Sequence, residues 1–129
     1  MSDHLDRKGR HLAHARAHAL DAARLLRLLA FQSHPRAPVF MPGISTYADM
    51  LDPDAPDERR LAACHRYLEP VQRAATREQL SIHAERPSEF RNPYGLELQT
   101  TQRGYLLELC HRHLGKAVLA FLAAGVDLR

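Results

Sequence analysis

Two long segments of the chain carry apolar side chains at helical spacing, and this pattern constrains the fold more than any other feature. The first segment, residues 4–33, contains no proline and is rich in Ala, Leu and Arg, which favour helices. Its apolar residues recur at intervals of three, four and seven, which places them on one face of a helix. We predict a long first helix that ends at His34, before Pro35. Gly9 weakens a helix interior and allows a later start.

The second segment lies near the C-terminus and predicts another long helix. Thr100 or Thr101 can cap its start, and Gly125 stands where a C-cap is expected. Its strict alternation of three and four suits close pairing with another long helix. The apolar positions of this seam are Leu107, Cys110, Leu114, Ala117, Phe121 and Ala124.

The middle of the chain is less regular. Residues 35–56 hold five of the eight prolines, and Thr46 is placed to cap a short helix over 47–51. A further helix is predicted from Asp57, with a break near Glu69 because Pro70 follows. Residues 80–101 alternate apolar and polar side chains around a turn-rich stretch, which favours a β-hairpin.

These patterns predict one mainly α domain over residues 1–129, a small bundle of three to five helices that allows one short β-hairpin near residues 80–101. The chain is 45% hydrophobic and 26% charged, as a folded globular domain should be. No apolar run approaches the ~20 residues of a membrane span, and the N-terminus lacks the pattern of a secretory signal. With only Cys64 and Cys110, both on apolar stripes, we expect buried free thiols and a cytoplasmic, bacterial-type protein.

The sequence carries none of the common enzyme signatures, so we expect neither an enzyme nor a cofactor. The favoured function is that of a regulatory or adaptor protein, a homodimer through its first or last helix, that binds another protein such as a transcription regulator. Aromatic and methionine side chains are favoured in binding patches. The alternative is that these apolar groups complete the domain's own core. The predicted partner-binding residues are Phe40, Met41, Ile44 and Tyr47, with Arg24 and Arg27 as charged support.

A second interpretation is a nucleic-acid-binding regulator that uses the N-terminal helix. Residues 1–36 carry seven basic and three acidic side chains, whereas the remaining residues are nearly balanced. Such an asymmetry favours association with polyanions. Residues 76–92 loosely resemble a helix-turn-helix, but Pro87 and Pro93 leave too little uninterrupted chain for a recognition helix.

A third interpretation is a His-rich metal-binding protein. His4, His11, His14 and His18 follow one another at spacings of seven, three and four, and imidazoles three or four residues apart on a helix can chelate a transition metal. The weak candidates are His11, His14 and His18. A closed zinc site needs four ligands, and no acidic or thiol ligand with good spacing was identified beside these histidines. The sequence therefore favours a partly exposed polar flank over a metal site.

Overall fold

The computed structural model describes residues 3–31, 44–85 and 102–128. Four helices occupy these ranges: α1 (Asp3–Phe31), α2 (Ile44–Leu51), α3 (Asp57–Glu85) and α4 (Gln102–Ala123). Within them there is no β-strand, and the prediction of a mainly α bundle is confirmed. None of the four helices combines the length and the apolar character that crossing a membrane would require.

Helix α4 lies between α1 and α3, which make few contacts with each other. It runs antiparallel to α1: residues near Lys8 lie beside Ala124, His18 contacts His113, and Ala22 contacts Cys110. The predicted pairing of the C-terminal seam with a long helix is therefore made inside the chain. The seam and the part of the α1 stripe from Ala15 to Leu29 are buried and form the main core.

Small side chains on α1 allow α4 to approach closely. Ala15, Ala19 and Ala22 are completely buried at this contact. The Cys110 thiol reaches within 3.6 Å of the Ala22 carbonyl oxygen, a contact between a side chain of α4 and the backbone of α1. Leu26 and Leu29 continue the stripe after the alanines and are also completely buried. This close packing fixes the side chains at the edges of the two helices relative to each other.

The short helix α2 packs against both α1 and α3. Its side chains Tyr47 and Met50 are 1% and 3% exposed, so they belong to the core. The sulfur atoms of Met50 and Cys64 are 3.4 Å apart, which joins α2 to α3. The alternative that the apolar groups of this connection complete the domain's own core therefore describes both Tyr47 and Met50.

Helix α4 ends as the sequence predicts. Gly125 has a φ of +84°, a conformation that costs L side chains about 1–2 kcal/mol and that glycine adopts freely. The Gly125 amide donates to the Leu122 carbonyl, and the Val126 amide donates to the Phe121 carbonyl, each at 3.0 Å. These two bonds form a Schellman motif, and Val126 packs against the core beyond it.

The predicted break at Pro70 is wrong, because α3 continues through it as one helix. A proline inside a helix costs about 3 kcal/mol, since it removes one amide donor and crowds the preceding turn. Tyr67 and Val71 on either side of Pro70 are buried in the core. Tertiary packing thus holds the helix together across the residue that would otherwise end it.

Three further boundaries differ from the sequence-based expectations. Residues 80–85 are helical, so the first strand of the expected hairpin is wrong, and residues 86–101 lie outside the described ranges. The strand signal here consists only of Leu80, Ile82 and Ala84. Adding residues to an existing helix is easier than starting a new element, so α3 continues through them. Helix α1 begins at Asp3 and passes through Gly9. Helix α2 begins at Ile44, so Thr46 lies within the helix and does not cap it.

Candidate metal centre

The antiparallel packing of α1 and α4 brings two histidines together. His18 immediately precedes the buried Ala19, and His113 immediately precedes the buried Leu114, so each imidazole lies at the edge of an apolar stripe. Both side chains are half-buried. Because the stripes face each other, their edges meet, and residues 95 positions apart in the sequence come into contact.

The two imidazoles are in direct hydrogen-bond contact. Their Nδ1 atoms are 2.9 Å apart, and their ring centroids are 5.2 Å apart with a tilt of 36° between the planes. In this hydrogen bond one Nδ1 donates and the other accepts. The accepting Nδ1 carries no proton, so at least one of the two rings is a neutral imidazole. Asp21 lies three residues after His18 on the same side of α1. The three side chains offer ligand atoms that all lie within 4.8 Å of one another.

The surroundings of His18 favour the neutral form of its imidazole. Burial lowers the pKa of His18 below its usual value, and the nearby His113, Lys116 and His14 lower it further, while Asp21 acts in the opposite direction. A neutral imidazole is the form that binds a metal ion, because the ring nitrogen must keep its lone pair. The environment of His18 therefore favours the protonation state that a metal ligand requires.

The donor set selects one class of ion. Two imidazole nitrogens and one carboxylate oxygen suit zinc and neighbouring first-row transition metals, whereas calcium and magnesium prefer oxygen ligands throughout. Metal–nitrogen bonds of 2.0–2.1 Å place two ligands of a tetrahedral ion about 3.3 Å apart. The Nδ1 atoms of His18 and His113 are already near this separation. The half-buried carboxylate of Asp21 offers an oxygen within 4.8 Å of both nitrogen ligand atoms.

Of the predicted metal candidates, only His18 belongs to this cluster. His11 lies closer to the N-terminus of α1, in an open cleft with Lys8 and Gly125. His14 is exposed one turn before His18. Sequence reasoning missed Asp21 and His113. The spacing His18-x-x-Asp21 is a helical ligand pair that could have been found in the sequence. No sequence signal joins His113 to it, because their contact depends on how α1 and α4 pack.

Of the predicted partner-binding residues, the structure describes the side chains of Tyr47, Arg24 and Arg27. Tyr47 is buried in the core, while Phe40, Met41 and the side chain of Ile44 lie outside what the structure describes. Arg24 and Arg27 are exposed on α1, and Leu28 beside them is 48% exposed. The Nη1 atom of Arg24 lies 3.8 Å from a carboxylate oxygen of Asp21, at the edge of the group formed by His18, Asp21 and His113.

The basic N-terminal part of α1 is exposed at Lys8 and Arg10. Residues 76–85 belong to the C-terminal part of the long helix α3, so they do not form the separate first helix of a helix-turn-helix. Nucleic-acid binding remains a prediction from charge. Comparison of the chain with protein-family models, with curated proteins and with solved structures finds no match.

Proposed function

We propose that this protein binds a first-row transition-metal ion, with zinc(II) as the first candidate, through His18, Asp21 and His113. The observation that carries the proposal is the convergence of these three side chains from two helices, with ligand atoms within 4.8 Å of one another. An isolated surface histidine would offer only one ligand atom to an ion, whereas this group offers three. Of the candidates from the sequence, His18 is kept. Asp21 and His113 take the place of His11 and His14, because the packing of α1 against α4 brings His113 to His18.

The packing of α1 against α4 supports a preformed site. Both helices are held by fully buried residues next to the ligands, Ala19 on α1 and Leu114 on α4. Little backbone ordering is therefore needed when an ion binds, and this favours affinity. Metal binding would add a link between the first and last helices and would stabilise the folded state, since the unfolded chain does not hold the three ligands together.

The test is a titration of untagged, chelator-treated protein with zinc(II), followed by isothermal calorimetry and by thermal unfolding. We expect one ion per chain and a melting temperature that rises with zinc concentration. His113→Ala should abolish both effects, and Asp21→Asn should weaken binding. His65→Ala is the matched control, because His65 is exposed on α3 outside the cluster. Binding that survives His113→Ala, or that His65→Ala removes equally, would rule the proposed site out.

A second candidate function is protein binding by an adaptor or regulator, favoured by the exposed face of α1 that carries Arg24, Arg27 and Leu28. These residues are spaced by three and one on the helix, and a half-exposed leucine flanked by arginines resembles the centre of a small docking face. A transcription regulator, as expected from the sequence, is one example of such a partner.

This second candidate is tested by a pull-down from native lysate, divided into nuclease-treated and untreated halves. A protein retained at stoichiometric level in both halves supports it, provided that Leu28→Asp loses the partner. Tyr105→Asp is the control, because Tyr105 is 57% exposed on α4 and its replacement should leave both fold and partner intact. Material lost on nuclease treatment would instead favour nucleic-acid binding by the basic part of α1.

Cytoplasmic location and a homodimer complete the proposed assignment. The two thiols are free and buried, which fits a reducing compartment. A dimer through the apolar stripes of α1 and α4 would compete with their packing inside the chain. If a homodimer forms, we therefore expect it to use exposed residues such as Leu119 and Leu122 of α4. Light scattering after size-exclusion chromatography, with Leu119→Asp for comparison, tests this.

A further inference from the structure

The proposed centre supplies fewer ligands than an ion of this class accepts. Zinc sites with three protein ligands keep a position for water or another small ligand. Within the described ranges, no fourth His, Cys, Asp or Glu offers a ligand atom to this cluster within 4.8 Å of the others. His18, Asp21 and His113 are each half-buried, so solvent reaches the site. An ion held there would keep at least one exchangeable position.

The charge around that position is positive. A divalent ion with one carboxylate and two neutral imidazoles retains a net positive charge. Two cationic side chains lie at the edge of the site: Arg24, 3.8 Å from Asp21, and Lys116 of α4. Lys116 follows His113 by three residues, so the two side chains share one face of the helix. Lys116 is exposed, and its positive charge contributes to lowering the pKa of His18.

We infer that the metal centre binds a small oxyanion, of the phosphate or bicarbonate type, in its exchangeable position and that Lys116 supplies the countercharge. The inference rests on the proposed metal-binding function. An anion is the ligand that this arrangement attracts, because the ion, Lys116 and Arg24 together outweigh the single carboxylate of Asp21. The compact ammonium of a lysine suits a tetrahedral or planar oxyanion as a point charge that needs no fixed orientation.

The test uses cobalt(II) as a coloured probe in the chelator-treated full-length chain, with inorganic phosphate added after unbound cobalt has been removed. We expect phosphate to change the visible absorption of the bound cobalt with a saturating dependence. Lys116→Gln should weaken phosphate binding about threefold to tenfold while cobalt affinity is retained. Lys8→Gln is the matched control. Lys8 is the other lysine of the chain and lies in the N-terminal part of α1, beside Gly125 and away from the site.

The outcomes separate the inference from the function beneath it. If cobalt and zinc both fail to bind, the metal-binding function and this inference fall together. If cobalt binds but millimolar phosphate leaves its spectrum unchanged, the inference is overturned and the metal-binding function stands. An equal loss in Lys116→Gln and Lys8→Gln would also overturn it, since general charge would then explain the binding. A selective loss in Lys116→Gln supports it.

Discussion

Arg16 of α1 and Asp57 at the start of α3 form a bidentate ion pair. The Nε and Nη2 atoms of Arg16 donate to the two carboxylate oxygens of Asp57 at 3.0 and 2.7 Å. The same carboxylate accepts from Arg60 at 3.0 Å. Arg60 is 7% exposed and also donates to the Asp52 carbonyl at 2.7 Å. Asp57 therefore joins α1 to α3, two helices that otherwise touch little. Arg60 extends this connection to the segment before α3.

The first prediction separates the two arginine contacts of Asp57. Arg16→Ala should destabilise the fold by less than about 1 kcal/mol, because the Arg16 side chain is half exposed and water replaces the lost contact. Asp57→Ala should cost about 1–3 kcal/mol, because it leaves the buried Arg60 guanidinium short of an acceptor. Urea unfolding at neutral pH measures both. Equal losses would contradict this division of roles.

The second prediction concerns acid. Hydrogen bonding from Arg16 holds the pKa of Asp57 below its usual value; burial opposes this shift, and Arg60 adds to it. A depressed pKa in the folded state means that the carboxylate stabilises the fold above the unfolded value of about 3.9. This contribution is lost as the pH falls through the lower folded pKa. The stability difference between wild type and Asp57→Asn should therefore shrink from pH 7 to about pH 3. A constant difference would exclude this linkage.

The third prediction compares two glycines near the end of the chain. Gly125→Ala should destabilise the fold by about 1–2 kcal/mol, because its positive φ strains any residue with a Cβ. Gly115→Ala should stabilise it by about 0.5–1 kcal/mol, because Gly115 lies inside α4 and an added Cβ meets nothing within 4 Å. Thermal unfolding of both variants checks the opposite signs.

The fourth prediction concerns the thiols. Cys64 and Cys110 are completely buried, and burial raises the pKa of each to about 12. Because the thiolate is the reactive form, neither should react with a disulfide reagent in the native state. Two thiols per chain should react in denaturant. Rapid labelling in native buffer would contradict the burial of these residues.

The helices themselves were largely predictable from the sequence. The apolar period of α1, the start of α3 at Asp57 and the Gly125 cap are signals carried by neighbouring residues, and the structure confirms them. The expected burial of Cys64 and Cys110 is also confirmed. Local rules were wrong at Pro70 and over residues 80–85, where α3 continues. At Pro70, core packing on both sides opposes the local preference for a break.

The candidate site was only half visible in the sequence. The pair His18 and Asp21 lies within one turn of α1, so its spacing could be read directly. His113 joins it only because α4 packs antiparallel to α1 on a stripe of alanines, which sets the two Nδ1 atoms 2.9 Å apart. The sequence determined the helices because their hydrogen bonds and apolar faces repeat over a few residues. The tertiary structure decided which edges meet, because that depends on packing between residues 95 positions apart.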